Sequence, residues 1–468
     1  MIHAFLAFFL FQANANDLKD TIRTFTQAWA LVEQNAATAT DANSAIYEGA
    51  LPSLLRTLDP HSVFFSPAQF EQLKEMQKST SKGFGTIVSV LPGRVIVLQA
   101  MEGAPGARAG IAAGDEIIAI NNYRLDMLNM EQLIGLLGET RRQQAQLWVR
   151  RAGSARPLQF TLTPEELASP SVDRAFLLKP GFGFVRITSF EGETGKQVKT
   201  AIEKLGGTSL QGLVLDLRNN PGGLLPSAME TAALFLNPGQ MIVSVRGRAR
   251  QLEETRVPND TSPYRFPVAV LINEKTASAS EIVAAALQDH KRGVILGAAS
   301  FGKGLVQSVY PLSEGTGMAL TTAFYFTPNG RSVQRPLKDG QLSHYTNLGT
   351  DAGLRPDREV YPETMTRLRA YLDSTGILTN YATERLAKSL KVDATFDISN
   401  QLLDELQLFL SERNVRPSLA EWSADREWIR SRLLQEILNQ ALGVEKGDEV
   451  ELRRDPAVLQ ALTAVTQP

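Results

Sequence analysis

Short, continuous runs of branched apolar residues alternate with helical patterns between about residues 170 and 345. Two of these runs, "LVLDL" (213–217) and "PVAVLI" (267–272), contain a single charged residue between them. Continuous apolar runs of this length are typical of strands that are covered on both faces. Because such strands alternate with helices, the segment is predicted to fold as an α/β layer, and we assign it the range 166–362.

The composition excludes several kinds of chemistry. The 468 residues include no cysteine, which excludes disulfides, thiolate catalysis and cysteine zinc sites. The four histidines (His3, His61, His290 and His344) are scattered, so no histidine metal cluster is expected. No metal or organic cofactor is therefore predicted. A formal charge of −2 gives no basic surface for nucleic acid.

The N-terminus resembles an export signal. The apolar run "AFLAFFLF" (4–11) precedes the small residues "ANA" (13–15), although only His3 stands where a positive n-region is usual. We predict a signal peptide over residues 1–15 and a periplasmic or otherwise extracytoplasmic location, with an apolar N-terminal helix as the alternative. The run is too short to span a bilayer. Residues 16–78 show helical spacing and are predicted to form an N-terminal helical region.

Residues 79–165 have the pattern of a small β-rich module with one main helix. The glycine-rich loop "KGFG" (82–85) opens a strand, and free backbone N–H groups there can hold a terminal carboxylate while a peptide pairs with the strand. Together with "EGAPGARAGIAAGDEIIAIN" (102–121), this order of motifs resembles a PDZ domain. A β-module that binds nothing is the alternative. The candidate peptide-binding residues are Gly83, Phe84, Gly85, Ile134 and Leu137.

Two serines lie where a buried strand turns into a helix, in "TASASEIVAAALQ" (276–288). A serine becomes a nucleophile only if a base accepts its proton. His290 follows Ser278 by twelve residues, more than three helical turns, so it should point elsewhere. The spacing does not exclude His61, but nothing around it suggests a base. We interpret Ser280 as the N-cap of the helix, with Glu281 near the positive end of the helix dipole.

A lysine in "SFGKGLVQ" (300–307) is the better candidate base. Lys303 lies between two glycines, directly after the apolar run "GVILG" (293–297). Burial disfavours the ammonium form, so a buried lysine can act as a neutral amine. Gln307, four residues later, is placed to direct that amine by a hydrogen bond.

These motifs, with "DLRNNPGG" (216–223) and "TPNGRSVQ" (327–334), resemble the carboxy-terminal processing peptidases, a serine–lysine family. The resemblance covers about residues 40–365, including "LDPHSVFF" (58–65). It implies an α/β fold with a ClpP/crotonase-like protease core, an inserted PDZ domain and helical N- and C-terminal regions. It also implies a role for each site residue: nucleophile Ser278, base Lys303, assisting Gln307, and the oxyanion donors Gly223 and Ala279.

Residues 363–468 return to helical spacing and carry two apolar stripes. Such stripes pack on the parent domain or bury one another across a dimer. Some members of the family are dimers through terminal helices and some act with an adaptor protein. Both partners, a second copy of the chain and an adaptor, are therefore candidates here. The stripes are Ile398, Leu402, Leu403, Leu406, Phe409 and Leu410, and Ile429, Leu433, Leu434, Ile437 and Leu438.

The expected function is that of a serine endopeptidase that captures the free C-terminal tail of a protein in its PDZ groove and cleaves near that end. One alternative is a catalytically silent PDZ scaffold, which would lack at least one of Ser278, Lys303 and Gln307. The other is a crotonase-type acyl-CoA enzyme, which would need neither the PDZ module nor the serine–lysine pair.

Overall fold

A computed structural model describes residues 2–76, 80–91, 93–168, 170–248, 252–335 and 353–467, without the side chains of residues 2–16, 75, 76, 80, 81 and 168. His344 and the side chains of the predicted signal peptide lie outside the described part. The chain forms two compact units. The first comprises Met1–Glu75, Val306–Thr322 and Pro336–Asn347, and the second comprises Met76–Leu305, Ala323–Arg335 and Leu348–Pro468.

The first unit is mainly helical at its N-terminal end. It contains α1 (Ile2–Asn35), α2 (Ala42–Ser44), a π-helical turn (Ala45–Ala50), α3 (Leu51–Arg56), β1 (Val63–Phe65), α4 (Pro67–Met76), most of β17 (Leu305–Pro311) and the first part of β18 (Gly317–Phe326). Strand β1 pairs antiparallel with the start of β18, and β17 pairs with β18 as well. Gly317 must be a glycine, because a Cβ there would lie 2.3 Å from the ring of the buried Phe70.

The second unit begins with the glycine-rich module. Its elements are β2 (Thr80–Gly83), β3 (Thr86–Leu91), β4 (Arg94–Ala100), α5 (Pro105–Arg108), β5 (Glu116–Ile120), β6 (Tyr123–Arg124), α6 (Met130–Thr140), β7 (Ala145–Arg150), β8 (Leu158–Leu162) and β9 (Glu165–Ala168). The main sheet runs in the order β3-β4-β5-β7-β8 and is antiparallel, while β2 pairs with β9. Strand β3 therefore forms an edge of this sheet. The module has its own core, in which Val95, Leu133 and Val149 are fully buried.

The α/β layer follows. Its elements are β10 (Val172–Lys179), β11 (Phe182–Ile187), α7 (Thr194–Leu205), β12 (Gly212–Asp216), α8 (Leu225–Ala233), β13 (Met241–Arg246), β14 (Glu253–Arg256), β15 (Val268–Ile272), α9 (Ala279–Asp289), β16 (Gly293–Gly297) and β19 (Arg358–Glu359). Six strands form a sheet in the order β10-β11-β12-β15-β16-β19, parallel except for the pair β10 and β11. Every residue of β12 and β15 is buried, which confirms the prediction made from their apolar runs.

Helices make up the C-terminal part of the second unit. They are α10 (Arg367–Ser374), α11 (Ile377–Ala387), α12 (Asn400–Glu412), α13 (Leu419–Ala441), α14 (Val444–Leu452) and α15 (Pro456–Thr466). The residues of the two predicted stripes, apart from Leu438, join a single apolar cluster of the same chain, to which α10 and α11 also contribute. Helix α15 instead packs on the sheet, where Val458, Ala461 and Val465 join the core formed by β12, β15 and β16. No helix in the described ranges combines the length and apolarity that a membrane span needs.

Candidate active site

The turn that carries Ser278 joins the buried strand β15 to α9. Ser278 is the residue immediately before the helix and has φ 55° and ψ −118°. A positive φ is uncommon for a residue with a side chain, and strain of this kind collects at functional sites when the surroundings hold it. Ser278, which the sequence motif selected, is one of the residues with a side chain that the fold holds at positive φ.

Hydrogen bonds to the segment after β12 hold this turn. The Thr276 hydroxyl donates to the Leu217 carbonyl at 2.8 Å, and the Ala277 N–H donates to the Asn220 carbonyl at 3.0 Å. The Ser280 hydroxyl donates to the same Asn220 carbonyl at 3.2 Å. The prediction that Ser280 caps the helix is wrong, because α9 begins at Ala279 and Ser280 is already a buried residue of its first turn.

One buried carboxylate, that of Glu281, connects the serine turn to the lysine loop. Its Oε2 accepts from the Ser278 N–H at 2.7 Å and from the Lys303 N–H at 2.9 Å. Its Oε1 accepts from the Gly302 N–H at 2.8 Å and from the Ser300 hydroxyl. Ser278 and Lys303, twenty-five residues apart in sequence, are thus bonded through their backbones to a single oxygen atom.

The charge state of Glu281 reflects two opposing effects. Complete burial raises the pKa of this carboxyl, because a carboxylate is poorly solvated inside the protein. The bonds from Ser300, Lys303, Ser278 and Gly302 stabilise the charged form and oppose the rise. Four donors directed at two oxygens match the acceptor capacity of an ionised carboxylate.

Tyr325 contacts the same backbone from β18, in the part that belongs to the second unit. Its hydroxyl donates to the Lys303 carbonyl and lies 3.2 Å from the Ser278 carbonyl and 3.4 Å from the Glu281 carboxylate. Burial, and then the Glu281 charge, raise the pKa of Tyr325 well above its ordinary value. The phenol therefore stays protonated and acts as a donor.

The first glycine of "NPGG", Gly222, lies against the serine turn, and Gly223 follows it directly. A Cβ on Gly222 would lie 2.8 Å from the Ala277 carbonyl oxygen and 2.9 Å from the Ser278 Cβ. Gly223, at φ 143°, pairs with Phe190, whose carbonyl accepts from the Leu224 N–H at 2.7 Å. The N–H groups of Gly223 and Ala279 have no acceptor among the described residues. Two unpaired donors near a strained serine are what an oxyanion hole requires.

The lysine loop is fixed by close backbone contacts. Gly302 has φ 87°, and a Cβ on it would lie 2.9 Å from the Gly353 nitrogen. A Cβ on Gly304 would lie 2.9 Å from the Gln334 nitrogen, and the Gly304 N–H donates to the Gln334 side chain at 2.8 Å. Lys303 itself is half-buried. Only glycine fits on both sides of this lysine, which explains the motif.

The remaining predicted catalytic residue, Gln307, lies on β17 in the first unit. Its side-chain amide donates to the His61 carbonyl at 2.7 Å. His290, in the second unit, has both ring nitrogens engaged: Nε2 donates to the Met241 carbonyl at 2.7 Å, and Nδ1 is 3.1 Å from the Gln240 amide. His290 is therefore not a base for Ser278. Within the described ranges, no group of three or more His, Asp or Glu residues is arranged to hold a metal ion.

The candidate peptide groove lies between β3 and α6. Gly83 ends β2, and Phe84 and Gly85 form the loop that leads into β3. Gly85 has φ 67°, and a Cβ on it would lie 2.1 Å from the Ala104 Cβ. On α6, Leu137 packs against the module core and Ile134 is 58% exposed. The unpaired edge of β3 and the apolar residues of α6 therefore belong to one module, and strand addition by a peptide uses both kinds of feature.

Sequence reasoning missed a charged network at the end of β12. The Arg218 guanidinium donates to both oxygens of the buried Asp216, at 3.0 and 2.7 Å, and to Asp455 at 2.6 Å. Burial alone would lower the pKa of Arg218, but the bonds and charges of Asp216 and Asp455 outweigh it and raise the pKa. Asp455 is the N-cap of α15, so the network ties this helix to the strand that precedes Gly222 and Gly223. The signal in the sequence was a charged residue inside an apolar run.

Comparison with known proteins is consistent with this geometry. The model for peptidase family S41 matches residues 181–340, and a PDZ domain model matches residues 96–151. A carboxy-terminal-processing protease of Bartonella bacilliformis is 35% identical over 296 residues, covering 62% of this chain and 67% of that protein. The chain belongs to peptidase family S41. It is therefore a peptidase that carries a PDZ domain, which confirms the predicted resemblance and fold class.

A second relative supports the same family. A carboxyl-terminal-processing protease of Synechocystis sp. is 32% identical over 292 residues, covering 61% of this chain and 68% of that protein. Among solved structures, the photosystem II D1 C-terminal processing protease aligns with a TM-score of 0.41 at 26% identity, covering 72% of this chain and 92% of that chain. Membership in the S41 family decides against the acyl-CoA enzyme.

Proposed function

We propose that this S41 peptidase is a serine endopeptidase that processes proteins near their C-termini. Ser278 is the nucleophile, Lys303 is the general base and Gln307 assists the lysine. The PDZ domain captures the free tail of the substrate. The relatives named above as carboxy-terminal processing proteases support the substrate class.

The observation that carries the catalytic part is the shared Glu281 carboxylate. Two loops far apart in sequence donate their backbone N–H groups to one buried oxygen, and each loop carries one member of the proposed dyad. A buried carboxylate that loses either partner leaves an unpaired polar group, so the arrangement resists separation of the loops. This supports a serine and a lysine that work together.

The proposed reaction begins when the neutral Lys303 amine accepts the proton of Ser278 as its hydroxyl oxygen attacks the substrate carbonyl. The N–H groups of Gly223 and Ala279 then bind the oxyanion of the tetrahedral intermediate. Lys303 returns the proton to the leaving amine, which departs and leaves an acyl-enzyme. Lys303 next removes a proton from water, whose oxygen attacks the ester carbon. As the bond between the acyl carbon and the Ser278 oxygen breaks, Lys303 returns that proton to the serine oxygen, which releases the second product as an acid and restores the free enzyme. Each oxyanion donor contributes about 3 kcal/mol in serine peptidases.

The test of the dyad uses a fluorophosphonate, which labels only an activated serine, together with cleavage of fluorescent casein. Ser278→Ala should abolish both, and Lys303→Ala should lower both by at least about a hundredfold. Lys275→Ala changes an exposed lysine three residues before Ser278 and is the matched control. If Lys303→Ala labels at the rate of the control, Lys303 is not the base. A protein that does not label at all would support the silent scaffold instead.

The test of tail capture compares two peptides that differ only at the C-terminus. A peptide with a free carboxylate should have a lower KM than the same peptide with a C-terminal amide, because the amide carries no charge for the loop at residues 83–85. Ile134→Lys should remove the difference by placing a charge in the apolar groove. Equal KM values for the two peptides with the unmodified enzyme would argue against capture by the PDZ domain.

We also propose an extracytoplasmic location and a homo-oligomer formed through the N-terminal helix. The C-terminal stripes are buried within the chain, whereas α1 exposes Leu18, Ile22, Phe25, Leu31 and Val32. A candidate adaptor protein would act in the same compartment. Light scattering on a chain lacking residues 1–35 should report a smaller particle than the full chain gives. Cell fractionation tests the location.

A further inference from the structure

The first unit contains a buried turn whose carboxylate has no role in the mechanism above. Asp59 lies in "LDPHS" (58–62) and is 1% exposed. Its Oδ1 accepts from the His61 N–H at 2.7 Å and the Ser62 N–H at 2.9 Å, and its Oδ2 accepts from the Ser62 hydroxyl at 2.7 Å. A carboxylate that accepts from the two following amides closes a tight turn of the chain.

This turn is attached to two neighbouring strands. The Thr321 hydroxyl, on β18, donates to Asp59 Oδ1 at 3.1 Å, and the Thr321 N–H donates to the Ser62 hydroxyl oxygen at 3.1 Å. On β17, the Gln307 amide nitrogen donates to the His61 carbonyl at 2.7 Å. The conformation that Asp59 imposes on the turn therefore sets where the His61 carbonyl oxygen lies.

An amide side chain has one donor end and one acceptor end, and the protein must fix which end points in which direction. In Gln307 the donor end is bonded to a backbone carbonyl, and a carbonyl accepts but cannot donate. The contact therefore holds Gln307 in one of its two amide orientations. Only a carbonyl end can accept from a lysine amine, so this orientation is the one that the proposed assistance to Lys303 needs.

We propose that Asp59 is a positioning residue for catalysis: it shapes the Asp59–Ser62 turn, whose His61 carbonyl orients the amide of Gln307. The proposal rests on the proposed function, because it gives Gln307 the role of assisting Lys303. Asp59 does not touch the reacting atoms. It acts through Gln307, and His61 contributes its backbone rather than its imidazole.

The decisive measurement is a double-mutant cycle of Asp59→Ala and Gln307→Ala, read as kcat and KM on fluorescent casein. Each single change should lower kcat by about tenfold to a hundredfold with KM changed less than about twofold, because a misplaced catalytic group slows chemistry without weakening binding. In the Gln307→Ala background, Asp59→Ala should lower kcat by no more than about twofold further. A purely structural role for Asp59 would give the same fold loss in both backgrounds and would overturn the proposal.

Two further variants keep the test independent of the folding of Asp59→Ala. Asp59→Asn retains one oxygen for the two turn amides and should restore most of kcat. Gln307→Glu keeps acceptor oxygens but has no donor for the His61 carbonyl, so its plateau kcat at alkaline pH should fall as far as that of Gln307→Ala. If Gln307→Glu keeps full plateau kcat, the contact with His61 does not matter. Asp41→Ala removes a helix N-cap in the same unit and is the control for a change in stability alone.

The outcomes separate this proposal from the proposed function. If Lys303→Ala labels with fluorophosphonate at the rate of the Lys275→Ala control, the dyad fails whatever Asp59 does. If Lys303 and Gln307 are both required but the cycle is additive, the dyad stands and the positioning role of Asp59 fails.

Discussion

Glu281→Gln is the sharpest test of how the serine turn and the lysine loop are held together. The change keeps the size of the side chain but replaces one oxygen with an NH₂ group. If that group takes the place of Oε2, it faces the N–H donors of Ser278 and Lys303. If it takes the place of Oε1, it faces the Gly302 N–H and a Ser300 hydroxyl oxygen that already accepts from the Leu354 N–H. Either orientation leaves at least one buried donor without an acceptor.

The magnitude follows from that count. A buried polar group without a partner costs about 1–3 kcal/mol. Removing the charge offsets part of this, because burial disfavours the carboxylate. We therefore expect the free energy that keeps these two segments closed to fall by about 2 kcal/mol. This corresponds to about a thirtyfold increase in the equilibrium constant for their local opening. Because a displacement of about 1 Å at a reacting group can cost about a hundredfold in rate, kcat should fall by about that factor.

Two assays report on this prediction. Hydrogen–deuterium exchange of peptides that cover residues 276–283 and 300–307 should accelerate together, since one side chain holds both. Casein cleavage should lose kcat with little change in KM. Glu274→Gln, at an exposed position in the same turn, should change neither. If only the serine turn exchanges faster, or if kcat stays at the control value, the two loops are not joined through Glu281 in the way described.

Three other predictions concern separate parts of the second unit. Gly222→Ala should lower kcat by at least about a hundredfold, because the new Cβ would press on the serine turn. Gly239→Ala is the control for backbone strain alone, because Gly239 has φ 77° and a Cβ there would meet no atom within 4 Å. Equal losses of kcat in the two variants would contradict the contact argument. Arg218→Lys should cost about 3 kcal/mol, seen as a lower Tm, since one ammonium cannot serve both carboxylates; the exposed Arg256→Lys should cost under about 1 kcal/mol. Burial raises the pKa of Tyr381 from 10.0 to about 12, so the native state holds the phenol proton more tightly than the unfolded state does. The stability that this difference contributes is complete below pH 10 and is lost as the pH rises towards 12. The urea midpoint should therefore fall more steeply above pH 10 than in Tyr381→Phe, and parallel curves would contradict this.

Much of the catalytic core could be predicted from local sequence patterns. The runs of β12 and β15 are apolar on both faces because both strands lie inside the sheet. A continuous apolar run of this kind is visible in a single sequence. The serine turn and the lysine loop each follow such a strand, so their approximate places followed too. The roles of Ser278, Lys303 and Gln307 in the reaction remain predictions.

The parts that could not be predicted depend on contacts between distant segments. The sequence alone predicts only that Glu281 lies near the positive end of the helix dipole. Its hydrogen-bond partners at residues 300–303 are about twenty positions away, so no local pattern shows them. The sequence alone does not distinguish Ser278 from Ser280 as the helix cap, because both serines suit that role. The backbone shows that the helix starts at Ala279, one residue after Ser278. The apolar stripes of α12 and α13 gave no indication of whether they meet within one chain or between two.

The burial of α15 has a consequence for the enzyme as its own potential substrate. A peptidase is exposed to digestion by other copies of itself, and a segment buried in a folded core resists such digestion. Here the final helix fills one side of the central sheet, so that Val465 lies against Gly212, where a Cβ would be 2.9 Å from the valine. A chain cut within α15 would lose one wall of this core, so the packing of the helix also protects the sheet.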